Sequence, residues 1–497
     1  MIDMILVIIS IFLWGRLALL VLFGGKRIEF WLRLPLMFGA GCFAVAWLLF
    51  IYFLAGGRIT HELAVLVCVF PAAALFCERL FAAFRRKPRP APFRGLALRR
   101  GLFARIVQIV FLAVIVGLVV AVFHDSQQLP LMGDARQIWG YKAKILYYES
   151  LYSPDFHDES QVHQHPNYPL LVPILETYSY AFMGRVDDLR VKLLFPAFYV
   201  CLLMCVYSEL RRRLGPIAAI ALLAVFATFL PLIYNWGGLS EGSASSGYAD
   251  LPLVFFYTLA VIILLRWLSG EALAGEERRS RFLTLITAAI LLSAAVFTKN
   301  EGLAIAVIVS FVALFVVLIG GATVQRRQVV RLLLLPLLVF VLSAPWLVWR
   351  AGLPAIDANY PRQLTLDRIQ YGLEHNAGTV LTYAVDGMTP LELVGKRGMG
   401  GVSGWTLFWP VLVVACVLFM GRVFQRNTLF ISLVLAAHVS VYFLVLLVTP
   451  PPWTVEDLMK YVTLRLAMHF SGVAVLLFAL LLGRPGACQA ARVAPAQ

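Results

Sequence analysis

Residues 104–123 read ARIVQIVFLAVIVGLVVAVF, and the chain then turns polar over 124–168, with DSQQLPLMGDARQIWGYKAKILYYES at 125–150 and VHQHPNYPLLVP at 162–173. An apolar helix of this length rises about 30 Å, the thickness of the hydrocarbon core of a bilayer. The polar segment holds four of the eight histidines together with Asp134, Arg136, Lys142 and Lys144, in a chain that is 61% hydrophobic. Reactive groups beside a bilayer are costly to keep, so the chemistry is expected here.

The same apolar pattern recurs from end to end. Charged residues make up 14% of the 497 and the mean hydropathy is +0.84, whereas a soluble chain of this length would be less apolar and divide into several cores. Spans are expected near 4–24, 32–55, 62–84, 104–123, 190–210, 216–235, 251–268, 282–298, 302–320, 331–349, 404–421, 427–448 and 465–483. No small-residue cleavage site follows the first apolar run, so it is expected to stay as a span and not to be removed as a signal peptide. The seven cysteines lie mostly inside apolar runs, without metal-type spacing.

The formal net charge of +15 does not point to nucleic acid, because the basic residues gather in short patches between apolar runs. Residues 85–105 carry eight lysines and arginines without one acid, and smaller clusters sit at Lys26-Arg27, Arg211-Arg212-Arg213, Arg278-Arg279-Arg281, Arg326-Arg327-Arg331 and Arg422-Arg426. Basic clusters stay cytoplasmic. Thirteen crossings satisfy them all, with the N-terminus outside and the C-terminus inside. The apolar run 169–184 is left out of that count, because it is short and contains Pro173 and Glu176. It is expected as an interfacial or re-entrant helix, and 135–148 as a second surface helix with Ile138, Tyr141, Ile145 and Tyr148 on one stripe.

The fold class is therefore an all-α polytopic bundle. Its parts are N-terminal accessory helices (1–84), a basic cytoplasmic linker (85–103), a catalytic core (104–350) with an outer loop at 124–189, an outer loop at 351–403, C-terminal helices (404–483) and a cytoplasmic tail (484–497) with no soluble domain. In this topology the polar segments 124–189, 235–250, 298–302, 350–403 and 450–465 all fall on the extracytoplasmic face. A site assembled there has no access to cytoplasmic nucleotides. Its activated substrate would have to arrive across the membrane, on a lipid.

Four elements in order resemble the GT-C superfamily of integral membrane glycosyltransferases, above all the protein O-mannosyltransferases and the lipid A aminoarabinose transferase. They are Asp134 in GDARQIWGYKAK soon after a span, His165-Pro166-Asn167-Tyr168-Pro169-Leu170 like the HPPL or KPPL element, Asp250-Leu251-Pro252-Leu253 just before a span, and Lys299-Asn300-Glu301-Gly302 like the Lys-Gly turn. The resemblance covers about 104–350 and implies a GT-C-like bundle with extracytoplasmic juxtamembrane helices, in which the early acid, Asp134, is the base. The chain departs from the O-mannosyltransferases in carrying Asp134-Ala135 where they have Asp-Glu.

Sugar transfer from a polyprenyl phosphate expels a good leaving group, so it needs a base for the acceptor hydroxyl and cations for the departing oxygens. Asp134 is the expected base, although a Gly-Asp pair before a helix is also an N-cap signal. Lys142, Lys144, Lys299 and Arg465 are the candidate phosphate-holding cations, and Lys142 and Lys144 stand about 200° apart on a helix, too far to serve one group together. His163, His165, Tyr168, Asp250 and Glu301 complete the substrate-binding candidates. The i, i+2 histidine pair lacks a nearby carboxylate, so no cofactor is firmly implied and a divalent metal stays open. The expected partners are a polyprenyl-phosphate-linked sugar, a glycan, lipid or protein acceptor, and the bilayer, with the protein in a bacterial inner membrane and its site facing the periplasm. A lipid-linked glycan flippase and a membrane glycan ligase are the alternatives. The segment 350–403, with Tyr360, Arg362, Asp367, Arg368, His375, Asp386 and a Gly-rich hinge at 395–401, suits sugar binding or a lid.

Overall fold

A chain crosses hydrocarbon only if its backbone hydrogen bonds are satisfied within the segment, as in a helix, or by closing a barrel. The computed structural model takes the helical solution. It describes residues 1–84, 102–229, 232, 244–273, 278–320, 326–354, 364–388, 408–449 and 454–483, and no strand occurs among them. In chain order the helices are α1 (Ile2–Phe23), α2 (Phe30–Leu54), α3 (His61–Phe84), α4 (Leu102–Ser126), α5 (Tyr141–Tyr148), α6 (Leu171–Met183), α7 (Leu194–Leu214), α8 (Pro216–Ala227) and α9 (Asp250–Leu268). They continue with α10 (Arg278–Thr298), α11 (Glu301–Leu318), α12 (Arg326–Arg350), α13 (Leu366–His375), α14 (Ala377–Met388), α15 (Phe408–Leu418), α16 (Arg426–Leu447) and α17 (Val455–Leu482). Eleven of these, α1–α4, α7, α9–α12, α16 and α17, are long and apolar enough to cross a membrane. The protein is a multi-pass membrane protein. The expected crossings 216–235 and 404–421 correspond to the shorter apolar helices α8 and α15.

The bundle is organised around α9, whose residues are all buried. A helix apolar on every side can sit only inside a bundle or in lipid, and α2, α7, α10, α11, α16 and α17 enclose this one. Phe38 of α2 meets Phe198 of α7 and Phe255 of α9 at ring-centroid distances of 4.8 and 5.9 Å. The N-terminal helices share this core. α1 and α2 touch backbone to backbone, since a Cβ at Gly15 or Gly41 would strike the carbonyl of Met37 or Ile11.

A buried arginine near the far end of α9 needs countercharge. Arg266 donates to Glu209 (3.0 Å) and Ser208 (2.6 Å) of α7 and to Glu29 (3.2 Å), which precedes α2. Glu209 is also paired with Arg213. Three helices are thereby tied at one level.

The two surface helices expected at 135–148 and 169–184 sit deeper than that. Residues 171–181 of α6 are all buried, against α1, α2, α3, α5 and α10. Residues 135–140 form a turn of π-helix before α5. A π turn holds more residues than an α turn, so it rotates the face that follows relative to a uniform helical wheel. Ala135, Ile138, Trp139, Lys142, Ala143, Ile145 and Leu146 point inward, while Tyr148, expected on the apolar stripe, is exposed. Glu176 is buried, and among the described residues neither of its oxygens has a hydrogen-bond partner. Burial, reinforced by the charge of Asp188, holds its carboxyl well above the usual range.

Most of the basic linker at 85–103, Tyr360, Arg362, the Gly-rich hinge at 395–401 and the tail at 484–497 lie outside the described residues. Within 351–403 the described part folds as α13 and α14, which pack on α16 and α17. Asn376 donates to the Leu447 carbonyl (2.9 Å) and Tyr383 to Glu456 (2.9 Å).

Glu209→Gln should cost about 3–5 kcal/mol, because it leaves buried arginine charge short of its partner. Thermal unfolding of the purified protein in detergent should show the loss, and Glu209→Leu combined with Arg266→Met should recover part of it. An unfolding midpoint unchanged in Glu209→Gln would show that the cluster carries no stability.

Candidate functional site

Asp250 opens α9, where the helix dipole favours an acid, but its carboxylate is wholly buried and so requires partners. Three side chains from two elements supply them. Lys299, at the end of α10, donates at 2.8 Å. Arg465 of α17 contacts both oxygens, Nε at 2.7 Å and Nη2 at 3.0 Å, and His469 Nε2 lies 2.7 Å from Oδ1. Arg465 and His469 are four residues apart, which puts them on one face of α17.

The α10–α11 turn aims Lys299. Gly302 approaches the Ala295 carbonyl so closely that a Cβ would collide with it, and the Gly302 N–H donates to the Lys299 carbonyl (2.9 Å). Glu301 of the same turn pairs with Lys299 at 2.9 Å. Behind the carboxylate, Tyr442 OH stands 2.5 Å from His469 Nδ1. With Nε2 donating to Asp250, a neutral imidazole must accept at Nδ1, so Tyr442 donates and fixes the tautomer.

Asp134 occupies the N-cap position of the π turn, yet its side chain makes no capping bond. Its backbone N–H donates to Tyr248 OH (3.0 Å), and its carboxylate faces Arg465 Nη1 at 3.5 Å. The Arg465 guanidinium also lies over the Tyr248 ring, 5.4 Å from its centroid. Asp134 is 34% exposed and Asp250 0%, so the two carboxylates cannot play the same part. Asp250 spends its oxygens on fixed cations and orders them. Asp134 keeps solvent-accessible surface and, among the described residues, a long ionic contact with Arg465.

Asp134, Asp250, Lys299, Glu301 and Arg465 therefore meet at one end of the bundle. The other candidates lie apart. Lys142 is buried, donates to the Tyr168 carbonyl (3.1 Å) and stands over that residue's ring at 5.5 Å from its centroid. Burial pushes its ammonium well below the usual range. Lys144 pairs with Asp188 at 2.6 Å, and Tyr180 donates to the same carboxylate at 2.8 Å. His165 has a left-handed backbone (φ 51°) and its ring lies 4.5 Å from that of Tyr168. Trp139 connects this region to the cluster, 6.3 Å from Tyr168 and 5.8 Å from Tyr248 between ring centroids. The backbone of His163 lies in a 3-10 turn, Glu159–Gln164. Among the described residues no group of three or more His, Cys, Asp and Glu side chains is placed to hold a metal ion.

His469, Tyr442 and Tyr248 were not among the sequence candidates. The four-residue step from Arg465 to His469 was a signal in the sequence. Tyr442 carried none, because its partner lies on another helix.

No family model matches the sequence, and no curated protein matches it. The structure is similar to the crystal structure of the Archaeoglobus fulgidus oligosaccharyltransferase in the apo form, at 14% identity and a TM-score of 0.44, over 77% of this chain and 50% of that one. The chain spans about half the length of that protein.

Proposed function

We propose that the protein transfers a sugar from a polyprenyl phosphate to a cell-envelope glycan, lipid or protein hydroxyl, on the extracytoplasmic side, with inversion at the anomeric carbon. The observation that carries the reading is the convergence of Asp134, Asp250, Lys299, Glu301 and Arg465, drawn from four separate segments, at one end of an apolar bundle. Three of those segments, those of Asp134, Asp250 and Lys299-Glu301, also carry motifs whose order resembles the GT-C superfamily. The acceptor oxygen attacks the anomeric carbon, the bond to the phosphate oxygen breaks, and the phosphate leaves with the bonding electrons. Asp134 takes the acceptor proton.

Among the cations, Arg465 suits the phosphate best. Its contact with Asp134 is looser, at 3.5 Å, than the 2.7 and 3.0 Å contacts that anchor it to Asp250. One edge of the guanidinium is thus held while the other can turn to an incoming anion. Lys299, 4% exposed and engaged by Asp250 and Glu301, keeps Asp250 ionised and in place. Tyr168 and His165, joined to the cluster through Trp139, are proposed to meet substrate. Lys142 and Lys144 support the loop that carries Asp134.

Asp134→Asn keeps size and removes the base, so the rate of transfer from a polyprenyl-phosphate sugar should fall about a hundredfold to ten-thousandfold while the donor still binds. Near wild-type transfer by this variant would overturn the mechanism. If wild-type protein in liposomes moved the lipid-linked sugar across the membrane without consuming it, the flippase reading would replace this one.

Arg465→Ala should weaken donor binding by about 1.5–3 kcal/mol, the worth of a charge-assisted contact, and Arg465→Lys should restore part of it. Equal donor affinity in wild type and Arg465→Ala would remove Arg465 from the phosphate site.

Cysteines introduced at Ser160 and Arg185 in a cysteine-free background should both react with an impermeant thiol reagent added from outside. Labelling of position 185 from the cytoplasmic side alone would make α6 a crossing and reverse the orientation of every helix after it.

A further inference from the structure

The end of the bundle away from Asp250 carries a groove of about 780 Å³ between α4, α7, α8 and α17. α7 ends in Arg211-Arg212-Arg213-Leu214, and Gly215, at φ 76°, turns the chain into α8. α8 has 12 residues, about 18 Å of rise, and turns Ala218, Ala221, Leu222 and Val225 to the groove at the spacing of one helix face. The two alanines leave a slot unfilled. Phe111 of α4 and Phe478 of α17 form its other walls. Ile109, Val110 and Leu112 on α4 beside the slot are exposed, which places it on the perimeter that faces lipid.

The mouth of the slot is basic. Arg212 pairs with Glu271, Arg213 with Glu209, and Arg266 with Glu209 and Glu29, while Arg211 is exposed. Among the described residues the three arginines that line the groove thus meet two glutamates, one of them shared with Arg266 buried behind it, which leaves Arg211 as an exposed positive charge at the lip of an apolar channel. A basic pocket between spanning helices is how anionic headgroups are held. Free phosphate would find the arginines but draw nothing from the walls. A zwitterionic lipid would use the walls and bring no net charge.

We infer that this groove binds an anionic glycerophospholipid, its phosphate at Arg211 and its neighbours and an acyl chain along Ala218, Ala221 and Val225. The site is separate from the Asp134 cluster and does not depend on the transfer reaction.

The test is lipid retention by the purified full-length protein, read by native mass spectrometry after addition of phosphatidylglycerol, phosphatidylcholine, inorganic phosphate or polyprenyl phosphate. Wild type should hold phosphatidylglycerol in preference to phosphatidylcholine. Arg211→Gln, a change at an exposed side chain, should lower that retention about fivefold. Ala221→Phe should fill the slot and abolish retention with every arginine in place, in protein whose elution and thermal unfolding match wild type. Equal retention of the two phospholipids, or wild-type retention in either variant, would overturn the assignment. So would displacement by inorganic phosphate at lipid-like concentrations, or preferential displacement by polyprenyl phosphate, since the ligand would then be a free anion or a donor lipid.

Discussion

The structure depends on burying α9 with an ionised group at each end. Desolvating a lone charge costs several kcal/mol, so neither Asp250 nor Arg266 could remain in the core without opposite charge brought by other helices. Asp250 draws Lys299 from α10 and Arg465 and His469 from α17, while Arg266 draws Glu209 from α7 and Glu29 from the approach to α2. The signs also suit the helix dipole, acid at the N-terminus and base near the C-terminus. Five segments are thus held in register at two levels, with apolar packing between them that is non-directional and could not set register alone.

The same constraint divides labour between the two aspartates. A carboxylate enclosed by three donors orders its partners and is shut off from solvent. Asp134 stands on a π turn at the edge of that enclosure, with a third of its surface open, and shares Arg465 with Asp250. One guanidinium therefore couples a buried structural anion to an accessible one. π turns recur at functional sites because the extra residue re-aims side chains at little cost in backbone hydrogen bonding.

Lys142 and Glu176 are also buried, but among the described residues neither has an ionic partner at contact distance, and the consequence differs. Each is pushed toward its neutral form, Lys142 downward and Glu176 upward, chiefly by loss of water. Lys144, two residues along, keeps its charge partner Asp188. The two lysines share α5, so the face each occupies decides whether its ammonium is desolvated or paired.

The sequence by itself determined the all-helical membrane class and the places of the helices, because a 20-residue apolar stretch has one stable way to satisfy its backbone in hydrocarbon. It also singled out Asp134, Asp250, Lys299, Glu301 and Arg465, since charge at the end of an apolar run stands out against it. Tertiary structure alone decided which of these side chains meet, because residues 134, 250, 299 and 465 are joined only by the packing of α9, α10 and α17. It decided, too, the depth of 135–148 and 171–181. A helical wheel assumes about 100° per residue and one wet face, and both assumptions fail where a π turn rotates the chain and neighbouring helices surround it. His469 and Tyr442 became visible for the same reason: a hydrogen bond between two helices is a property of their docking, and neither helix records it alone.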